Sequence, residues 1–275
     1  MNWVGNFGLL VLGVVTGSVA GLLGIGGGLL MVPVLIAFGV SPLQATATSL
    51  VCVLLSSLSG SWRNWRDRQL NLSASAGLAV GGIPTAPLGA QVGSWLPGGW
   101  LALGFALLQI LAIYFMGLRH KLSRQEAIDN RDVRTAPNFV DPDSAVQSPR
   151  FPLPKTIGIG LLAGLLSGLF GVGGGVVMVP LQMLLLAVPI KTAVRTSLGA
   201  IVVISASGLI QHTWNGNVLW IYGVCLGLGG ILGAQFGTRA LPKLPESWVN
   251  RLFRVLLLAL SAYMVVRGIQ QLGWF

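Results

Sequence analysis

Gly21-Leu22-Leu23-Gly24-Ile25-Gly26-Gly27-Gly28-Leu29-Leu30-Met31-Val32-Pro33 returns as Gly168-Leu169-Phe170-Gly171-Val172-Gly173-Gly174-Gly175-Val176-Val177-Met178-Val179-Pro180. The second copy lies 147 residues on (Gly21 to Gly168), and its Gly, Met, Val and Pro positions all coincide with the first. A glycine run is a poor helix interior, since each Gly costs about 1 kcal/mol against Ala there. Both flanks are nevertheless strongly apolar. Apolar segments interrupted at matching places in two halves point to the binding site of a transporter-type fold.

Working outward, the 275-residue chain is 53% hydrophobic and only 9% charged, with mean hydropathy +0.79. Soluble domains carry about 25% charged residues. Long apolar runs joined by short polar links therefore predict an all-α polytopic membrane protein. Residues 3–39 form one run broken at 24–28. Others follow at about 43–61, 72–93 and 98–118, then 156–188 broken at 171–175, then about 190–210, 218–238 and 250–270. These make about eight hydropathy segments and ten helical pieces. Arg63 is the first Lys or Arg, so the positive start of a signal peptide is missing and the first run is expected to be retained. Cys52 and Cys225 lie in apolar runs and read as small core residues, with no metal site or cofactor implied.

Two further matches mark a duplication. Gly89-Ala90-Gln91-Val92-Gly93 corresponds to Gly233-Ala234-Gln235-Phe236-Gly237, and Ala45 to Leu50 corresponds to Ala193 to Leu198, both ending Thr-Ser-Leu. The expected layout is a first membrane repeat at 1–118, a polar cytoplasmic linker at 119–155 and a second repeat at 156–275. Rows of Gly spaced by four, Gly13/Gly17/Gly21, Gly160/Gly164/Gly168 and Gly229/Gly233/Gly237, suit close helix contact, and a homodimer is one use for them. All nine Trp fall near predicted helix ends, as in an aromatic belt.

Charge sets the topology. Arg63, Arg66 and Arg68 share one loop, and seven basic residues lie in 119–155. Lys191 and Arg195 form a third group, and Arg239, Lys243, Arg251 and Arg254 a fourth. Together they are 16 of the 17 Lys and Arg. All 16 fall on one side if each glycine-broken segment enters the bilayer and returns. They split between sides if each crosses. The positive-inside rule favours the return, hence re-entrant hairpins. Each half is then one hairpin plus three transmembrane helices, and three is odd, so the repeats are inverted and both termini lie outside. Eight plain spans in two parallel halves is the competing layout. The net charge of +10 sits in loops against anionic headgroups, which speaks against nucleic acid and for the lipid bilayer as partner.

The helical arms that start after the breaks expose free amides at the positive end of a dipole. Gly26, Gly27 and Gly28, with Gly173, Gly174 and Gly175, let main chain approach a ligand, which makes an anion site. Thr48, Ser49, Thr196 and Ser197 can add hydrogen bonds or satisfy their own helix. Gln91 and Gln235 need partners, either helix neighbours or a ligand. Arg195 can snorkel to the surface or meet the anion. His212 reads as a surface or interface residue. The apolar runs contain no Asp or Glu and no His/Cys/Asp/Glu cluster, which argues against a proton relay of carboxylates and against an enzyme.

The duplicated break through Gly24–Pro33 and Gly171–Pro180, with Thr48-Ser49 and Thr196-Ser197 downstream, resembles the TauE/SafE sulfite exporter family, also called toluene sulfonate uptake permeases. The resemblance covers both halves outside 119–155. It implies a secondary carrier of the bacterial inner membrane for small organosulfur anions such as sulfite, sulfoacetate or other sulfonates, working as an exporter by alternating access. An anion channel and an importer of the same substrates are the alternatives.

Overall fold

A computed structural model describes residues 3–23, 27–68, 70–111, 113–114, 151–240 and 246–272. Among these, every regular element is an α-helix. In chain order they are α1 (Trp3–Leu23), α2 (Gly28–Ala37), α3 (Pro42–Arg66), α4 (Leu72–Trp95) and α5 (Gly98–Leu111). Then come α6 (Leu153–Phe170), α7 (Gly175–Leu186), α8 (Ile190–Trp214), α9 (Trp220–Ala240) and α10 (Glu246–Gln271). Among the described residues, three spans are long and apolar enough to cross a bilayer: Pro42–Arg66, Leu153–Phe170 and Thr192–Trp214. The expected linker at 119–155 falls mostly outside the described residues; its last residues, Leu153–Lys155, open α6.

The boundaries follow local chemistry. Ser41 caps α3, its hydroxyl accepting from the Gln44 amide with Pro42 at the first helical position. Asn71 caps α4 through its side-chain oxygen and the Ala74 amide at 3.0 Å. The last turn of α3 carries Arg63 and Arg66 at the negative end of its dipole. Gly171 ends α6 with φ 69°, a left-handed conformation that glycine adopts without steric cost.

The core is assembled between the halves. The helix ahead of each glycine break packs on a helix from the other end of the chain, α1 on α9 and α6 on α4. The glycine rows make both contacts. Gly13 and Gly17 lie against the main chain of Leu226, Gly229 and Gly230, and Gly229 and Gly233 lie against Leu10, Gly13 and Val14. Gly160, Gly164 and Gly168 meet the carbonyls of Leu78, Gly82 and Ala86 in the same way. A β-carbon at any of these positions would run into backbone. In lipid, close approach of this kind drives helix association.

Contact register gives the helix directions. Gly60 touches Leu198 and Gly208 touches Leu50, so α3 and α8 run antiparallel. Gly223 meets Val51 and Gly227 meets Leu55, so α3 and α9 run parallel. Ser75 bonds to the Thr196 carbonyl and Ser207 to the Ile83 carbonyl, so α4 and α8 run parallel. Trp62, Trp65, Trp95, Trp100, Trp214 and Trp220 lie exposed at helix ends, in keeping with the belt. The side chains of Trp3, Trp248 and Trp274 lie outside the described residues.

Candidate functional site

The two breaks fold alike where both are described. Gly27 precedes α2 with φ 74° and ψ −25°; Gly174 precedes α7 with φ 77° and ψ −13°. The Gly27 carbonyl accepts from the amides of Leu30 and Met31, and the Gly174 carbonyl accepts from those of Val177 and Met178. Neither start has a side-chain cap. The amides of Gly28, Leu29, Gly175 and Val176 meet no acceptor among the described residues. Gly26 lies outside the described residues.

The breaks also touch. A β-carbon on Gly28 would collide with the Gly171 carbonyl and the Val172 α-carbon, so the start of α2 rests on the second break. Residues 171–179 are all buried. Gly173 packs on Val53 and Ile201, and Gly174 on Ala163, which brings α3, α8 and α6 around the second turn. Phe170 closes the α5 side with an edge contact to Phe105, ring centroids 6.0 Å apart.

Buried hydroxyls and amides hold this region. Ser49 Oγ lies 2.7 Å from its own helix at Thr46 and donates across 2.8 Å to the Gly171 carbonyl of the other half. Thr48 Oγ1 accepts from the Leu219 amide ahead of α9. In the second half Gln182 engages the matching pair: its Oε1 accepts from Thr196 and its Nε2 donates to Ser197, both at 2.7 Å. Gln109 is wholly buried, with Nε2 on the Leu29 carbonyl at 3.2 Å, in the first turn of α2.

Other expectations resolve differently. His212, read as a surface or interface residue, is fully buried, and its Nε2–H donates to the Gly168 carbonyl at 2.9 Å. The reason is that α6 stops at Phe170, so Gly168 is one of the last carbonyls without a helical donor and His212 supplies one. Gln91 Oε1 accepts from Gln211 and Asn215 on the far end of α8, so its partners are helix neighbours. Gln235 lies exposed on α9, and Arg195 is half-buried in the second turn of α8. The structure thus gathers Gly27, Gly28, Ser49 and Gly171–Gly175. It ties Thr196 and Ser197 to Gln182 of α7 and Thr48 to the Leu219 amide ahead of α9. Sequence reading passed over Gln109 and Gln182, although the signal used for Gln91, an amide inside an apolar run, applies to both.

The chain is similar to known membrane proteins. A family model described as "Sulfite exporter TauE/SafE" matches residues 9–264. "Probable membrane transporter protein YunE" of Bacillus subtilis is 28% identical over 269 residues, covering 95% of this chain and 97% of that one. A "Probable membrane transporter protein" of Xylella fastidiosa (strain Temecula1) is 28% identical over 267 residues, 93% of each chain. "Probable membrane transporter protein MJ0441" of Methanocaldococcus jannaschii is 27% identical over 223 residues, 78% of this chain and 75% of that one. No solved structure matches. Since the family match takes in both glycine breaks and the helices that pack on them, the chain belongs to the sulfite exporter TauE/SafE family of membrane proteins.

Proposed function

We propose that this protein is a secondary carrier that exports small organosulfur oxyanions, sulfite or sulfonates, across the bacterial inner membrane. The anion is held between the two glycine breaks, near the bilayer midplane, by the first-turn amides of α2 and α7. The observation that carries this reading is the seating of Gly28 on Gly171 and Val172, which brings two uncapped helix starts to one buried place. Oriented amides in a water-poor site favour negative charge without any basic side chain. Buried amides also need acceptors, and an oxyanion provides several.

In this reading α1–α2 and α6–α7 are re-entrant hairpins within two inverted repeats, 1–118 and 156–275, joined by a cytoplasmic linker, with both termini outside. The support is directional: α3 opposes α8 and runs with α9, while α4 runs with α8. If each broken segment crossed the membrane, all three relations would reverse. Alternating access rocks one repeat against the other. A singly charged anion leaving a negative-inside cell gains about 2.3 kcal/mol per 100 mV, so export runs on the membrane potential.

The test is a thermal-shift screen of purified protein against sulfite, sulfate, thiosulfate, sulfoacetate and aromatic sulfonates. A ligand bound only by the folded state raises the apparent Tm by mass action. Stabilisation by sulfite or a sulfonate, and not by sulfate, supports the substrate class; the absence of any shift counts against it.

A further inference from the structure

On the side where Arg63, Arg66 and Arg68 gather, a groove of about 480 Å³ opens between α3, α4 and α8. That volume is in the range of built ligand sites, about 300–1,000 Å³. On α3 it is lined by Leu58, Ser61, Trp62 and Trp65, a single helical stripe. Ala76 and Ala79 of α4 line the opposite wall, and Val203 of α8 lies between. Nothing in the proposed carrier mechanism uses the groove.

Three features stand at three depths. The body is apolar. Ser61 lies in its wall, and its hydroxyl is buried without a hydrogen-bond partner among the described residues. Arg66 flanks the same stripe five residues on, which at the helical rise places it about 7 Å nearer the membrane surface. Arg66 and Arg68 are exposed, whereas Arg63 points round the helix to Asp67, 3.8 Å away. Trp62 and Trp65 stack edge to face at 5.3 Å between the two levels, 60% and 54% exposed. Cation above, lone hydroxyl beneath, hydrocarbon slot at the bottom: the order matches the phosphate, ester and acyl chain of a lipid.

We propose that this groove is a binding site for one anionic phospholipid of the cytoplasmic leaflet. An acyl chain lies along Leu58, Ala79 and Val203, Ser61 donates to an ester carbonyl, and Arg66 and Arg68 hold the phosphate. Basic residues at a headgroup surface strengthen anionic over zwitterionic lipid.

Native mass spectrometry of the full chain tests it, with phosphatidylglycerol and phosphatidylcholine of identical acyl chains supplied in equal amounts. The expected result is one retained phosphatidylglycerol, favoured about tenfold over phosphatidylcholine. Ala76→Trp, which fills the groove, removes the retained lipid. Arg66→Gln with Arg68→Asn abolishes the preference; Asn suits the left-handed backbone of Arg68, φ 53°. Equal retention of both lipids by the wild type overturns the proposal, as does unchanged retention in both variants. Should Ala76→Trp fail to fold, the double arginine variant at exposed positions decides alone. If Ala76→Trp instead abolishes a thermal shift by p-toluenesulfonate and leaves phosphatidylglycerol bound, the groove belongs to the cargo and the lipid assignment is wrong.

Discussion

The side-chain amide of Gln109 donates to the main-chain oxygen of Leu29, the one carbonyl in α2 that Pro33, four residues on, leaves without a helical donor. A proline one turn into a buried arm is therefore matched by an amide from α5. Gln109→Leu is expected to destabilise the protein by about 1 to 3 kcal/mol, the cost of an unsatisfied buried acceptor. Pro33→Ala restores an N–H to the same carbonyl. A double-mutant cycle on thermal stability reads the coupling: Gln109→Leu costs less in the Pro33→Ala background than in the wild type. Equal costs would mean that the two residues act independently.

The same logic recurs elsewhere. Ser207 donates to the Ile83 carbonyl that Pro87 leaves free, and His212 donates to Gly168 near the end of α6. His212→Phe should cost about 1 to 3 kcal/mol, whereas His212→Gln should cost less because an amide can still donate. Unfolding midpoints of the two variants, compared with wild type, check the order.

Gly28 and Gly158 make a paired test. A methyl on Gly28 runs into the Gly171 carbonyl, while one on Gly158 meets nothing within 4 Å. Gly158→Ala in α6 should leave flux unchanged and add about 0.5 to 1 kcal/mol of stability through helix propensity. Gly28→Ala should push the two breaks apart and lower flux at least about tenfold, since misplacement of roughly an ångström at a reactive or binding site has effects of that size. Reconstituted transport and thermal unfolding of both variants provide the readout.

Topology has its own measurement. In a protein with Cys52 and Cys225 replaced, cysteines introduced at Phe38 and Trp214, both exposed, should react with an impermeant reagent from the same side of the membrane. A cysteine at Asp67 should react only from the other. Plain crossing segments would instead place positions 38 and 214 on opposite sides.

Much of this was legible in the chain. The glycine breaks, the helix order and the three glycine rows could be read because each rests on local rules: poor helix propensity, apolar length and close packing at a spacing of four. Basic residues pointed to a return at each break, and that layout is the one proposed above. Side-chain partners were less accessible. His212 looks like an interface residue until α6 is known to stop at Phe170, which leaves Gly168 needing a donor. Thr196 and Ser197 match Thr48 and Ser49 in sequence, yet Gln182 occupies them, and the matching first-half position is Leu35. Such differences depend on which helix lies opposite, and a repeat read along one chain does not give that.

The most direct test of the account is sulfite flux in proteoliposomes under an imposed potential, for wild type, Gly27→Leu and Gly174→Leu. Saturable wild-type flux that follows the potential, lost in both variants while both remain inserted and folded, is the predicted result. Undiminished flux in both would contradict an anion site at the paired glycine breaks.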